Sequence, residues 1–323
     1  MIKKVDLQIT QISQIGCDNR SGAYPRLPVR ASVLATLEHG PHFGKRQTAE
    51  IGMPNPFNAD AYLDRIGLTR PITVNIEGLC QLQYAHLMRV PFENLDIHLG
   101  RPIRLDLASF FEKIVIRRRG GFCYELNGLF ACLLRALGFE VDLLSARTAN
   151  RKGGFGPEFD HLALRVDLDQ PYLADVGFGD AFLEPLRLVA GIEQNDPRKT
   201  FLLTHECADW LVRERRPGRT WKPLYLFNLV PRGLEDFIEM CRYHQHSPES
   251  HFTQGTICSI ATAAGRVTIS GDRLIETHEG RRTERLIQNE TELRTLLAEH
   301  FHVTIIDRDL LPKRDAAAPG QPA

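Results

Sequence analysis

The chain lacks several features that would settle its class at once. No apolar run approaches the roughly 18 residues that a membrane-spanning helix needs, which excludes a helical membrane protein as the expected class. No C-x-x-C pair occurs. The seven cysteines, at 17, 80, 123, 132, 207, 241 and 258, are scattered and odd in number, which argues against a disulfide framework and for free thiols in a reducing cytoplasm. Charge of one sign is not in excess: 40 basic and 40 acidic residues give a net charge of zero and a pI near 7.2. That balance gives no pull toward nucleic acid or an anionic membrane. A secretory signal is not expected, because Lys3 and Lys4 are not followed by an apolar core of roughly 7–15 residues. Asp6, Asp18 and Glu38 count against a transit peptide. Internal repeats are absent, and so is a glycine-rich phosphate loop.

What remains is an ordinary globular composition, 43% hydrophobic and 25% charged over 323 residues, enough for two or three packed units. Residues 1–52 carry Gly, Pro, Asn and Ser clusters and no long periodic segment, so they read as a poorly ordered extension whose removal at Met53 should cost little. From Pro56 the texture is globular. The spacing predicts a helix over 58–67 with an Asn58 cap, a second over 74–88 that breaks at Pro91, and a third over 107–116. After Gly138 the period falls from 3.6 to 2, with strand-like runs at 140–148, 161–167, 172–177, 200–204, 210–215 and 221–229. A final unit has strands at 266–270, 273–277 and 283–287 and a helix at 292–301. The fold class is α+β. Its expected divisions are a helical domain (53–138), an antiparallel barrel (139–245), an α/β lid (246–312) and a disordered tail (313–323).

The stretch that organises the chain is Arg117–Phe139. Three arginines run into Gly120 and Gly121, then Phe122 and Cys123. Leu126, Leu129, Phe130, Leu133, Leu134 and Leu137 follow at three- and four-residue steps, one apolar stripe of a helix closed by Gly138. Cys123 thus falls on the first helical turn, where the dipole, free backbone N–H groups and nearby arginines should favour a thiolate. Cys132, in mid-stripe, reads as a packing residue.

A cysteine nucleophile needs a base. Leu162, Leu164 and Val166 share one face of their strand; Tyr172, Ala174 and Val176 share one face of the next. A hairpin that puts both faces on one side pairs Leu162 with Val176. Asp175 then becomes the diagonal neighbour of His161, roughly 7–8 Å away between backbones and within side-chain reach. A strand-end histidine bonded to backbone and a turn carboxylate are the plain alternatives. An Asp in an apolar strand beside a His favours a nucleophile–base–acid arrangement.

These segments together resemble the arylamine N-acetyltransferase family. Arg118-Arg-Gly-Gly-Phe-Cys-Tyr-Glu-Leu-Asn-Gly-Leu-Phe130 is similar to its active-site signature. Asp160-His-Leu-Ala-Leu and Asp175-Val-Gly-Phe-Gly179 are similar to its histidine and aspartate segments. Val90-Pro-Phe-Glu-Asn-Leu-Asp-Ile-His-Leu-Gly-Arg-Pro102 and Ser250-His-Phe-Thr253 also match, so the resemblance runs from about Phe57 to Leu311. It implies a helical domain, a β-barrel and an α/β lid. It implies an acyltransferase of xenobiotic metabolism that moves acetyl from acetyl-CoA to an arylamine through an acetyl-cysteine. Cys123, His161 and Asp175 would be catalytic, Phe92, Phe178, Gly179 and Phe252 would contact substrate, and Arg119 with Glu93 would brace the nucleophile loop. Small molecules would be the partners, with no metal, nucleic acid or membrane; the oligomeric state is open. A transglutaminase-like or papain-like thiol enzyme, an amide synthase and a catalytically silent binding protein are the alternatives. The histidines of Tyr243–His251 have zinc-like density but no cysteine at ligand spacing.

Overall fold

The structure, a computed structural model, describes residues 57–150, 152–305 and 310–311; the expectations for residues 1–52 and 313–323 lie outside the described residues. The chain begins with helices. The side chain of Asn58 accepts from the Ala61 N–H (3.0 Å) and starts α1 (Ala59–Arg65). Asn75 caps α2 (Ile76–Arg89) in the same way through the Gly78 N–H (3.0 Å), and Pro91 prevents its continuation. A two-residue strand β1 (Phe92–Glu93) and a short α3 (Leu95–Leu99) follow. The predicted helix over 107–116 is α4 (Leu107–Phe111) loosening into one π turn, Glu112–Ile116. Helix α5 (Cys123–Ala136) starts at the expected residue and ends before Gly138, whose φ of 100° suits only glycine without strain.

Helix α5 departs from the expected single stripe. Every residue from Cys123 to Leu134 is buried, polar ones included, while Leu137 is only partly covered. The helix is central, with α1 and α4 on one side and the sheet on the other. Burying Leu126, Leu129, Phe130, Leu133 and Leu134 contributes roughly 1.5–3 kcal/mol each.

The sheet comprises β2 (Glu140–Thr148), β3 (His161–Asp167), β4 (Pro171–Ala174), β5 (Leu186–Arg187), β6 (Glu193–Asn195), β7 (Thr200–Glu206), β8 (Asp209–Arg215) and β9 (Lys222–Arg232). They lie in the order β5-β4-β3-β2-β9-β8-β7-β6, all antiparallel, and curl into a nearly closed barrel. Gln194 bridges the two edge strands, accepting from the Arg187 N–H (2.8 Å) and donating to its carbonyl (3.0 Å). The predicted register is observed: Leu164 faces Ala174 and Val166 faces Tyr172. The ladder stops at Ala174, so Asp175 lies just beyond the strand rather than within a run to Gly177. Leu162, Leu164 and Val166 pack against α5, while Ala163 and Leu173 face the barrel interior.

After β9 come α6 (Ile238–His246) and α7 (His251–Gln254). The lid sheet then forms from β10 (Ile257–Thr262), β11 (Gly265–Ser270), β12 (Arg273–His278) and β13 (Arg281–Leu286), and α8 (Glu290–Phe301) packs on it through Leu293, Leu297 and Phe301. Two strands here were not expected. β10 is buried continuously from Cys258 to Ala261 and shows no two-residue period. β1 crosses from the helical part to pair with it, Phe92 opposite Ser259. Among the described residues no helix is long and apolar enough to cross a membrane.

Candidate active site

Cys123 is the first residue of α5, and the loop before it is held on two sides. Gly120 has no room for a side chain: a Cβ would lie 2.0 Å from the Pro91 carbonyl oxygen. The Glu93 N–H donates to the Gly121 carbonyl at 2.8 Å. The Phe92–Glu93 strand therefore joins the loop before Cys123 on one side to the lid on the other.

Beneath this loop lies a buried ionic network. Arg119 donates to Glu93 Oε1 from Nε (3.0 Å) and Nη2 (2.7 Å), and to Asp96 at 3.1 Å. Lys113 binds Asp96 at 2.8 Å and Glu125 at 2.9 Å. Burial opposes the Lys113 charge, but Glu125, Glu93 and Asp96 outweigh it and hold the ammonium above its usual range. Burial pushes Glu125 up to about 6 despite Lys113. Glu125 also accepts from the Phe122 N–H (3.1 Å), tying the network to the helix start. The sequence suggested only Arg119 and Glu93; Asp96, Lys113 and Glu125 were not singled out.

His161 and Asp175 are in contact. The imidazole Nε2 lies 2.7 Å from Asp175 Oδ2, which also accepts from Tyr225 Oη at 3.1 Å. The other oxygen accepts from Asn127 Nδ2 (2.8 Å) and from the Gly177 N–H (2.9 Å). Burial alone would raise the carboxyl pKa; the charge and hydrogen bond of His161, with Asn127 and Gly177, hold it below the usual value. An ionised Asp175 takes the Nε2 proton as its hydrogen bond, leaving Nδ1 as the free acceptor. Gln83 fixes the aspartate backbone by accepting from its N–H at 3.1 Å. Asn127, one turn beyond Cys123, also donates to Leu162 O (2.6 Å) and accepts from the Val176 N–H (2.8 Å). The one sequence signal for Asn127 is a carboxamide inside an apolar helix.

Gly177 brings the aspartate segment against Cys123. A Cβ there would lie 2.8 Å from Cys123 Cα and 2.7 Å from Asn127 Nδ2. Burial pushes the Cys123 thiol well above its ordinary pKa, a backbone hydrogen bond from Leu162 opposes this, and Asp160, Cys241 and Asp175 add to it. The expected thiolate bias is therefore corrected. Arg119 is engaged by carboxylates and Arg117 by Glu112 (3.0 Å). Burial also pushes Cys132 up, to about 11.

The structure gathers the suggested substrate residues around this centre. The Phe178 ring is 5.3 Å from that of His161, and Gly179 sits against Phe92. Phe252 packs at 6.1 Å from Phe92 and 5.8 Å from Phe122. A narrow crevice lined by Leu87, Asp175, Phe178, Gly179, Phe182 and Arg266 adjoins them. Among the described residues no group of three His, Cys, Asp or Glu is placed to hold a metal.

Known proteins share this arrangement. A family profile described as N-acetyltransferase matches residues 75–310. The arylamine N-acetyltransferase of Escherichia coli (strain K12) is 34% identical over 250 residues, covering 76% of this chain and 89% of that protein. Arylamine N-acetyltransferase 1 of Homo sapiens is 32% identical over 282 residues, covering 79% and 96%. The solved structure of the Salmonella typhimurium arylamine N-acetyltransferase matches with a TM-score of 0.73 at 32% identity, over 77% of this chain and 92% of that one. The Mycobacterium marinum enzyme in complex with CoA matches with a TM-score of 0.71 at 29% identity, over 76% and 92%. Helical layer, nearly closed barrel and α/β lid are thus an acyltransferase scaffold. The chain belongs to the N-acetyltransferase family, and the relatives it matches are arylamine N-acetyltransferases.

Proposed function

We propose that this chain moves an acetyl group from acetyl-CoA to arylamine or arylhydrazine acceptors, in two half-reactions through an S-acetyl Cys123. The observation that carries the reading is the 2.7 Å His161–Asp175 contact beside the start of α5. His161 Nδ1 takes the Cys123 proton, and the thiolate attacks the thioester carbonyl. The resulting oxyanion is stabilised by backbone N–H groups in the first turn of α5, which have no partner within the helix. The carbon–sulfur bond to CoA breaks and His161 returns the proton to the leaving thiolate. An amine then attacks the acetyl-cysteine, its proton passes to His161, and Cys123 leaves as the thiol. A buried thiol with a raised pKa needs a neighbouring base, which is the part His161 plays.

Phe92, Phe178, Gly179 and Phe252 form the walls against which the aromatic ring of the acceptor lies. Arg119 and Glu93 brace the loop that carries the nucleophile. The partners are small molecules, consistent with zero net charge, and free thiols suit a cytoplasmic setting.

Incubation with acetyl-CoA alone, followed by intact mass and peptide mapping, should find one acetyl group on Cys123, discharged by an arylamine and absent from Cys123→Ser. Acetylation at another residue, or none, would overturn the assignment.

A further inference from the structure

Asp160, the residue before His161, takes part in a second buried imidazole–carboxylate contact. Its Oδ2 accepts from the Thr148 N–H (3.2 Å) and from the Thr148 hydroxyl. Its Oδ1 lies 3.3 Å from Nε2 of His244 on α6. His244 is 1% exposed, and its Nδ1 lies 3.1 Å from the Ser250 hydroxyl oxygen. Ser250 is equally buried, and its Oγ accepts from the Phe252 N–H at 3.2 Å. A continuous polar chain thus runs from β2 through the residue preceding the base to the backbone of Phe252. The rings follow the same path: His244 stands 5.1 Å from Phe252, nearly perpendicular, and 6.1 Å from Tyr124, the neighbour of Cys123. Asn94 and His98 hold the Phe252 carbonyl from the opposite side, at 2.9 and 3.0 Å. The Phe252 peptide is clamped at both ends, and His244 is the one element of the clamp that also packs against the ring.

A buried imidazole hydrogen-bonded to a hydroxyl and facing a carboxylate is restricted in orientation, because turning the ring gives up the Ser250 bond and the approach to Asp160. We propose that His244 is a positioning residue for the acceptor half-reaction: held between Asp160 and Ser250, it sets the Phe252 ring against which an arylamine lies. This rests on the reading of Phe252 as an acceptor wall. Because His244 acts on the wall and not on the reacting sulfur, its loss should be felt by acceptors that carry a ring and not by the acetyl donor.

The test separates the half-reactions in His244→Leu, Ser250→Ala and the double variant, with acetyl-CoA as donor and either aniline or methylhydrazine as acceptor. Acetylation of Cys123 should stay within about twofold of the unsubstituted protein. The KM for aniline should rise about fivefold to tenfold, the scale of one lost buried hydrogen bond, while that for methylhydrazine stays within about twofold. The double variant should be no worse than the worse single one, since both changes cut the same chain. His244→Asn, whose carboxamide can keep the bond to Ser250, should restore most of the aniline KM, and it serves where His244→Leu folds poorly. An unchanged aniline KM in the single variants, or equal losses for both acceptors, would overturn the proposal. Absence of acetyl on Cys123 in the unsubstituted protein would overturn both this proposal and the reading beneath it.

Discussion

Asp160 and His161 are consecutive in the chain, yet they belong to different imidazole–carboxylate pairs, and the pairs are built differently. In the His161–Asp175 pair the carboxylate receives four donors: His161, Tyr225, Asn127 and the Gly177 N–H. Those donors come from α5, β3, β9 and the aspartate's own loop, so the position of Asp175 is over-determined. In the Asp160–His244 pair the carboxylate accepts, among the described residues, from Thr148, and the imidazole stands farther off, at 3.3 Å. Over-determination suits a pair that must present one nitrogen in one direction. The looser pair suits the holding of a ring. A third imidazole, His86, is buried with the Tyr62 hydroxyl at 2.9 Å and has no carboxylate partner among the described residues. It shows what burial does when nothing compensates the charge.

The largest expected effect is on the first pair. Asp175→Asn keeps the shape but cannot hold the Nε2–H tautomer, and kcat/KM should fall on the order of a thousandfold or more. Retention of most activity would mean that the pair does not act as a unit. A smaller change removes one support. Asn127→Leu deletes the donor to Asp175 Oδ1 and the bonds to Leu162 and Val176, leaving buried groups unsatisfied. The lost activity should be about tenfold to a hundredfold, from roughly 1–3 kcal/mol at the site. An effect as large as that of Asp175→Asn would show that Asn127 does more than support.

The smallest effect is on stability and uses His86. Burial first, and then the Arg65 charge, depress its pKa to about 3, below its unfolded value. The folded state therefore binds fewer protons, so this contribution is complete above about pH 6.5 and is lost as pH falls toward 3. At pH 5 the loss is roughly 2 kcal/mol. Glu125, pushed up to about 6, works in the opposite sense over the same range. The prediction is accordingly on the difference between proteins. The urea midpoint of His86→Phe should fall less between pH 7 and pH 5 than that of the unsubstituted chain, and parallel curves would contradict it.

What could be read from the sequence divides along the same line. The start of α5 at Cys123, its stop at Gly138 and the β3–β4 register follow from local period and capping, and these are observed. The supports of Asp175 were hidden, since Gln83 lies 92 positions away and Tyr225 lies 50, and no periodic pattern records such pairings. The burial of Asn127 and Glu125 was not legible, because a pattern of apolar spacing cannot reveal burial on all sides. The same blindness explains the Cys123 thiol. Helix start, the arginines and the Glu93 partner of Arg119 are visible in the sequence; desolvation and the second carboxylate on Arg119, Asp96, are not.

Activation of Cys123 by the His161–Asp175 pair, rather than by the helix dipole or the arginines, is the central claim, and alkylation kinetics test it most directly. Iodoacetamide labelling near neutral pH, followed by peptide mass for each thiol, should modify Cys123 much faster than Cys132 in the unsubstituted protein. In His161→Gln the Cys123 rate should drop toward that of Cys132. Faster labelling of Cys132, or a Cys123 rate that His161→Gln leaves unchanged, would contradict the account.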